Sequence, residues 1–214
     1  MSLQTELDAR RADFNQKAPQ TTKDAYQRGV ESVADSGIMQ QAKNEGDQAI
    51  DFTLPNAQGQ LVSLSDYLNQ GSVVLTWYRG GWCPYCNITL RALQQALPKI
   101  KAEGANLLAL TPELPDKSLS TQEKNELEFE VLTDQDNQVA REYGLVFKLT
   151  PEVSELYKRN FSLQEYNGND SDELPLAATY VIDQKGEIRY AFLDAEYRHR
   201  AEPEQIIKAL NSLH

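Results

Sequence analysis

Residues 73–86, which read VVLTWYRGGWCPYC, contain the features that decide the fold of this chain. Residues 73–78 form a nearly unbroken apolar run, which is typical of a central strand buried on both faces of a sheet. Two glycines then predict a turn, and leucines recur every three or four residues from Leu90 onward. The sequence therefore predicts a buried strand, a turn that carries Cys83 and Cys86, and an amphipathic helix.

The sequence on either side of this stretch alternates between strand-like and helix-like patterns. Predicted strands lie at residues 106–111 and 129–133, predicted helices at 115–125, 137–143 and 203–213, and predicted β-hairpins at 50–64 and 179–192. Residues 148–174 are polar and irregular, and they are predicted to form a surface excursion. This order of elements predicts an α/β sandwich around a central mixed sheet, with an N-terminal β-hairpin.

The first part of the chain is predicted to be a helical extension. Leu3 and Leu7 follow helical spacing, and Thr22 is placed to cap a second helix. Neither helix has a wide apolar stripe, so the extension is either a loosely packed, solvated appendage or a dimer contact. We predict a helical extension over residues 1–46 and an α/β domain over residues 47–214.

Composition and charge exclude several classes of function. The chain has 214 residues, and its formal net charge is 21 − 32 = −11. This acidic balance argues against a general binder of nucleic acid or of anionic membranes. The sequence lacks a run of the ~20 apolar residues that a membrane span needs, and its first residues have no apolar signal core. We therefore expect a cytoplasmic protein without a membrane partner.

The two cysteines are predicted to form a redox pair. Positions i and i+3 at a helix start bring two Cα atoms close enough for a disulfide. Pro84 suits the first turn of that helix, where unpaired N–H groups stabilise an anion. Residues 67–102 contain no acidic residue and four basic ones. We therefore expect Cys83 to be the nucleophilic thiolate, with a depressed pKa, and Cys86 to be the resolving thiol.

The residues around the pair favour an accessible site over two inert core cysteines. Trp82, Pro84 and Tyr85 are predicted to form an exposed rim. Two cysteines exclude four-cysteine metal sites within one chain, and a zinc site would need His199 and a carboxylate, or a second subunit. The same fold and cysteines would also suit a redox sensor, or a carrier that holds a metal or iron–sulfur cluster between two subunits.

Several stretches resemble a known family. They are residues 50–54 (IDFTL), 73–87, 174–183 (LPLAATYVID) and the RAEP segment at residues 200–203. In these stretches the chain resembles the alkyl hydroperoxide reductase/thiol-specific antioxidant group, which are peroxiredoxin-like proteins of the thioredoxin superfamily. The resemblance covers residues 47–213, and the branch with Trp-Cys-Pro-Tyr-Cys is the most similar.

This resemblance implies a thioredoxin-like sandwich over residues 47–214 and a thiol-dependent enzyme that reduces hydroperoxides or disulfides. Cys83 matches the attacking cysteine of the family, and Cys86 matches the second cysteine of the pair. A thioredoxin- or glutathione-type thiol would restore the dithiol. The reaction requires no bound organic cofactor or metal. A homodimer is a further expectation, with the helical extension as its contact.

The chain departs from the peroxiredoxin pattern at three positions. Thr76 stands where the pattern has its proline, and Gly80 stands where it has a threonine or serine. Ala177 occupies the position of the thioredoxin proline or the peroxiredoxin arginine, and Arg79 is the candidate replacement for that arginine. These departures predict slow peroxide reduction, with disulfide exchange at least as fast.

Overall fold

The computed structural model describes residues 2–213 of the chain. The strands are, in chain order, β1 (Thr53–Pro55), β2 (Leu61–Ser63), β3 (Ser72–Trp77), β4 (Ala105–Thr111), β5 (Glu130–Thr133), β6 (Val146–Lys148), β7 (Glu173–Pro175), β8 (Thr179–Ile182) and β9 (Ile188–Phe192). The helices are α1 (Leu3–Lys17), α2 (Gln20–Asp35), α3 (Ile38–Gln41), α4 (Leu64–Leu68), α5 (Pro84–Ala102), α6 (Pro115–Lys124), α7 (Gln138–Glu142), α8 (Pro151–Asn160), α9 (Leu163–Asn167) and α10 (Pro203–Asn211). Within residues 2–213, no helix has the length and apolar character needed to cross a membrane.

A mixed five-stranded sheet lies at the centre of the fold, in the order β5-β4-β3-β8-β9. Strand β3 pairs in parallel with β4 and antiparallel with β8, so that Val73 lies opposite Asn106 on one side and Ile182 on the other. Strands β1 and β2 form the separate N-terminal hairpin. The predicted α/β sandwich with a mixed sheet is therefore confirmed.

Alternate residues of β3 face two different cores, as the period of a strand requires. Val74 packs into the core that contains α5 and α10, whereas Leu75 packs into the core on the opposite face. Both side chains are fully buried. This double burial explains why residues 73–78 read as a continuous apolar run, and it makes β3 a rigid support for the turn that follows.

The N-terminal helices pack tightly on the rest of the chain. Leu3 and Leu7 of α1 are buried in the same core as Cys83 and Cys86, and the Gln4 N–H donates to Oε1 of a distant glutamate, residue 202, at 2.6 Å. The expectation of a loosely packed appendage is therefore wrong. Helix α2 also begins at residue 20, directly after a proline, and not behind a capping threonine.

Residues 148–174 are ordered, in contrast to the predicted irregular excursion. They contain α8, α9 and β7, and β7 pairs with β6. The Thr150 hydroxyl accepts a bond from the Val153 N–H and caps α8. Val153, Tyr157 and Leu163 are buried in a small cluster of their own. The sequence contains few apolar residues here, and their burial depends on partners from other parts of the chain.

Candidate active site

The turn between β3 and α5 requires glycine at two consecutive positions. Gly80 has a positive φ of 149°, and a Cβ at this residue would overlap the indole ring of Trp82 and lie 2.9 Å from Oε1 of Glu113. The Gly81 N–H donates to that same oxygen at 2.8 Å, and a Cβ on Gly81 would overlap the hydroxyl of Thr121. The close approach of Trp82, Glu113 and α6 therefore determines the Gly-Gly sequence.

Cys83 occupies the position immediately before α5, and Pro84 follows as an exposed first helical residue. The Asn87 amide holds this geometry: its Nδ2 donates to the Gly81 carbonyl at 2.7 Å and to the Cys83 carbonyl at 2.9 Å. Asn125 in turn donates to Asn87 Oδ1 at 2.8 Å. Asn87 was not predicted as a site residue, although its place one turn after Cys83 was a usable signal.

Both thiols are free and buried, each with 1% of its surface exposed. Nη2 of Arg200 donates to Cys86 Sγ at 3.6 Å. Burial and a hydrogen bond with the neighbouring thiol raise the pKa of Cys83 well above its ordinary value. Burial opposes charge on Cys86 as well, but the hydrogen bond from Cys83 and the Arg200 guanidinium lower its pKa to about 5.

This distribution of charge differs from the expected one. The sequence predicted a depressed pKa at Cys83, because that residue lies at the start of a helix. The structure instead places the guanidinium of Arg200, 114 residues away in sequence, on the inner cysteine. The hydrogen bond from Cys83 and the guanidinium of Arg200 both favour the negative charge on Cys86.

Arg79 is a buried cation enclosed by aromatic rings. Its guanidinium carbon lies 4.4 Å from the ring centre of Tyr197, 5.0 Å from that of Trp82 and 5.7 Å from that of Tyr157. Nη2 donates to the Tyr157 hydroxyl, while Nε has no partner among the described residues. Because a buried guanidinium needs hydrogen-bond acceptors, Arg79 is poised to bind an oxygen-rich ligand.

A pocket of about 140 Å³ opens onto Cys83. We call it the Cys83 pocket, and its lining residues are Arg10, Phe14, Tyr26, Arg79, Trp82, Cys83, Pro84, Tyr85, Tyr157, Phe161 and Tyr197. Trp82 is half-buried and stacks on Phe161 at 4.5 Å between ring centres. Tyr85 is buried against Tyr197, so the expected exposed rim is correct for Pro84 and wrong for Tyr85.

The three departures from the peroxiredoxin pattern have clear structural positions. The Thr76 hydroxyl bonds to the hydroxyl of Thr179 at 2.9 Å, which places it within the sheet between β3 and β8. Gly80 supplies no hydroxyl. Ala177 is buried just before β8, and its methyl group has no hydrogen-bond donor to offer the thiols. Among the described residues, Arg200 donates to Cys86 Sγ, and Arg79 lines the same pocket as Cys83.

Glu113 is a buried acid that sequence reasoning missed. Its side chain is fully buried, and Oε2 has no hydrogen-bond partner among residues 2–213. Burial raises the pKa of Glu113 to about 7, although the bond from Gly81 opposes this change. The carboxyl lies under the turn and interacts electrostatically with Cys86. A buried acid close to a thiol pair is coupled to the protonation of that pair.

A mixed sheet whose central strand leads through a turn into a dithiol at a helix start defines a thioredoxin-fold thiol protein. The model of the AhpC/TSA family matches residues 45–191, which is more than half of the chain. The chain therefore belongs to the AhpC/TSA family. Peroxiredoxin Bcp of Escherichia coli (strain K12) is 27% identical over 149 residues, which cover 70% of this chain and 85% of the relative.

Solved structures show the same fold. Peroxidoxin BcpB from Mycobacterium tuberculosis superposes with a TM-score of 0.63 at 18% identity, and the match covers 80% of this chain and 98% of that one. A peroxiredoxin-like protein from Aquifex aeolicus gives a TM-score of 0.64 at 14% identity, with 81% and 89% coverage. These matches confirm the predicted thioredoxin-like architecture.

Proposed function

We propose that this chain is a peroxiredoxin-like thiol oxidoreductase that reduces hydroperoxides through Cys83 and Cys86. The observation that carries the proposal is the buried thiol pair between two guanidinium groups, at the floor of a pocket that reaches Cys83. The positive charge stabilises a thiolate, and the pocket gives a small oxidant access to it. Membership of the AhpC/TSA family and the similarity to peroxiredoxin Bcp support the same activity.

The pocket supports the expected order of attack. Cys83 lines the Cys83 pocket, whereas Cys86 lies behind it, one helical turn along α5. Cys83 is therefore the attacking residue, even though the resting charge is on Cys86. In the proposed first step, the Cys83 proton moves to Cys86, which acts as the local base.

The chemical steps balance as one two-electron oxidation. The Cys83 thiolate attacks the outer oxygen of the hydroperoxide, the O–O bond breaks, and the alkoxide takes the proton held by Cys86 and leaves as an alcohol, which restores the Cys86 thiolate. The product is a sulfenic acid on Cys83. The Cys86 thiolate then attacks the Cys83 sulfur, and the departing hydroxide takes a proton from solvent and leaves as water as the disulfide forms. Two equivalents of an external thiol restore the dithiol.

Disulfide exchange is a second activity that one observation favours. Thr76 and Gly80 leave the peroxide side of the site without the usual proline and hydroxyl, while a dithiol needs only access and a good leaving group to exchange disulfides. The physiological substrate in this proposal is thus a hydroperoxide or a disulfide. The reductant is a thioredoxin- or glutathione-type thiol.

The alternative functions receive less support. Within residues 2–213, no group of three or more His, Cys, Asp or Glu side chains is arranged to hold a metal ion. The similarity to peroxiredoxins favours an enzyme over a redox sensor or a carrier shared between subunits. A homodimer stays a prediction, as does a cytoplasmic location. Leu3 and Leu7 pack within their own chain, so a dimer contact by α1 would have to use other side chains.

Substitution of each cysteine tests the proposal. We expect Cys83→Ser to abolish hydroperoxide consumption, because serine cannot form the sulfenic acid. We expect Cys86→Ser to react once, and to accumulate either the sulfenic acid or a mixed disulfide that mass spectrometry detects. The unmodified protein, assayed by stopped flow, is the control. Hydroperoxide consumption by Cys83→Ser at the unmodified rate would overturn the proposal, and a stable adduct on that variant would reverse the two roles.

A further inference from the structure

Part of the Cys83 pocket is built by the N-terminal helices. Arg10 and Phe14 come from α1, and Tyr26 comes from α2. The ring centre of Phe14 lies 5.7 Å from that of Tyr26, which lies 6.1 Å from that of Tyr157 on α8. These aromatic side chains form a continuous wall of the Cys83 pocket. Residues 1–44 lie outside the part of the chain that matches the family model, so Phe14 and Tyr26 are an addition to the matched part, whereas Tyr157 lies within it.

The helices that carry the wall are anchored at several points. Leu7 lies two helical turns before Phe14 on α1. It has 1% of its surface exposed and packs into the core that contains both cysteines. The Gln4 N–H of α1 donates to Oε1 of Glu202 at 2.6 Å. On α2, Arg28 pairs with Glu152 of α8 at 2.7 Å. The wall is therefore part of the packed structure, because its removal would expose core side chains.

The size of the pocket limits what can reach the sulfur. Cys83 has 1% of its surface exposed, and the pocket that reaches it has a volume of about 140 Å³. Thiol–disulfide exchange requires the attacking sulfur to reach the target sulfur directly. A protein dithiol carries its reactive cysteine on a broad surface, and a specific protein contact buries about 800 Å² on each partner. Cys83 is buried in a pocket that Arg10, Phe14 and Tyr26 of the N-terminal helices help to line, which leaves no broad surface around the sulfur for such a contact.

We propose that α1 and α2 form a size-selective cover over Cys83, which admits low-molecular-weight hydroperoxides and thiols and excludes protein dithiols. The redox part of this inference rests on the proposed function. In it, one small thiolate attacks the Cys83 sulfur of the Cys83–Cys86 disulfide and releases the Cys86 thiolate. A second small thiol then releases Cys83 and leaves as the symmetrical disulfide, so two electrons pass from two thiols to the protein.

Alkylation of the reduced full-length Cys86→Ser protein tests the cover without any redox assay. N-ethylmaleimide and a maleimide attached to a polyethylene glycol chain share one chemistry and differ in size. For each condition we compare the alkylation rate of the polyethylene glycol maleimide with that of N-ethylmaleimide. We expect this ratio of rates to be about tenfold lower in the native protein than in urea, because the native pocket restricts access of the large reagent to Cys83. Adding Phe14→Ala should restore most of that ratio, whereas the exposed Gln16→Ala on the same helix should leave it unchanged.

Reduction of the disulfide form tests the consequence for the reductant. The disulfide is formed with diamide, so the assay does not depend on peroxide chemistry. We expect Phe14→Ala to accelerate reduction by a thioredoxin about tenfold and to change reduction by glutathione less than about threefold, since only the protein reductant is blocked. Arg10→Ala serves as a second opening variant if Phe14→Ala does not fold.

Two results would overturn the cover. One is equal access of both maleimides to the native protein, and the other is reduction by thioredoxin at the same rate in the unmodified protein and in Phe14→Ala. Failure of the proposed function gives a different result. In that case hydroperoxide forms no disulfide, while alkylation still discriminates by size and the cover stands.

Discussion

Arg79 and Arg200 concentrate positive charge on two buried sulfurs. Arg79 lies in the turn before α5, and Arg200 lies just before α10. Nη1 of Arg200 donates to the carbonyl oxygens of Tyr197 and His199, which orients Nη2 toward Cys86. Because backbone acceptors hold this guanidinium, its charge is available to the thiolate and is not neutralised by an acid. An unneutralised cation lowers a thiol pKa most effectively.

Removal of the Arg200 guanidinium should raise the pKa of the first thiol to ionise. An opposite charge at this distance accounts for roughly one to three pH units, so we expect a rise of that order from about 5 in Arg200→Ala. Arg200→Lys should give an intermediate value, because it keeps the charge and loses the planar donor. The measurement is thiolate absorbance against pH.

Arg198→Ala is the matched control for Arg200, because Arg198 is paired with Glu196 at 2.5 Å and does not contact either sulfur. It should leave the titration unchanged. A midpoint in Arg200→Ala equal to that of the unmodified protein would show that Arg200 does not stabilise the thiolate.

Arg79 should affect peroxide reduction more than disulfide exchange. Its guanidinium is the donor available to the breaking O–O bond, and loss of one such preorganised donor costs about 10²–10³ in rate. We expect Arg79→Ala to lower peroxide turnover by that order and disulfide exchange by less than about tenfold. The unmodified protein should reduce peroxide more slowly than about 10⁷ M⁻¹s⁻¹, below the diffusional range.

Stopped-flow peroxide assays beside a model-disulfide assay give both rates, and Arg79→Lys shows whether charge alone is sufficient. Equal loss of both activities in Arg79→Ala would mean that the arginine supports the fold of the turn and not the peroxide step. A peroxide rate above the diffusional threshold would show that the missing proline and hydroxyl do not slow this site.

The sequence predicted the place of the two cysteines, at the start of the helix that follows a strand and a turn, because the features that define this place are local. A strand, a turn and a helix start lie within fifteen or so neighbouring positions, and periodicity reports each of them. The sequence did not predict the role of Arg200 or Glu113, because nothing in a linear pattern brings residues together across the fold. The expectation of a depressed pKa at Cys83 was wrong because the thiol is buried: burial and the hydrogen bond with Cys86 raise its pKa, although the guanidinium groups of Arg79 and Arg200 oppose this change.

Among the secondary-structure elements, the predicted ones are those with strong periodicity. Strand β3, helix α5, the hairpin of β8 and β9, and helix α10 all follow from their apolar patterns. Helix α8 was missed because only Val153, Ser154 and Tyr157 of its residues are buried. Its remaining face is polar, so the burial that stabilises it comes from contacts with α2 and with Trp82.

Helix α1 should unfold together with the rest of the molecule. Leu7 has 1% of its surface exposed, and truncation of a leucine buried to this degree lowers the free energy of unfolding by about 2–5 kcal/mol. We expect Leu7→Ala to lower the free energy of unfolding by that amount in a single transition, measured by urea denaturation with circular dichroism and tryptophan fluorescence.

Gln16→Ala on the exposed side of α1 is the control, and it should change stability by less than about 0.5 kcal/mol. If α1 instead melts in a separate early transition that Leu7→Ala alone affects, the N-terminal helices form an independent unit. That result would also weaken the proposal that they provide a fixed cover.

In the whole molecule, two buried acidic groups give opposite dependences of stability on pH. The lowered pKa of Cys86 makes the folded state lose a proton before the unfolded state does, so its contribution to stability grows as pH rises above about 5. Glu113 has a raised pKa of about 7, so the folded state keeps a proton that the unfolded state has lost. Its contribution therefore decreases as pH rises, and only a difference between variants separates the two effects.

Glu113→Gln should remove the loss of stability that accompanies ionisation of this buried acid. Between its ordinary pKa of 4.5 and its folded value of about 7, the unfolded state binds fewer protons, so the free energy of unfolding falls with rising pH. At ~1.4 kcal/mol per pH unit the full loss is at most about 3.5 kcal/mol. Glutamine keeps an oxygen that accepts from Gly81 and does not ionise. We therefore expect the variant to gain stability relative to the unmodified reduced protein between pH 5 and pH 8, measured by urea denaturation at each pH.

Because Cys86 is present in both proteins, its opposite dependence largely cancels, and repetition in the Cys86→Ser background removes it. A constant stability difference across that pH range would show that Glu113 ionises as readily in the folded protein as in the unfolded chain.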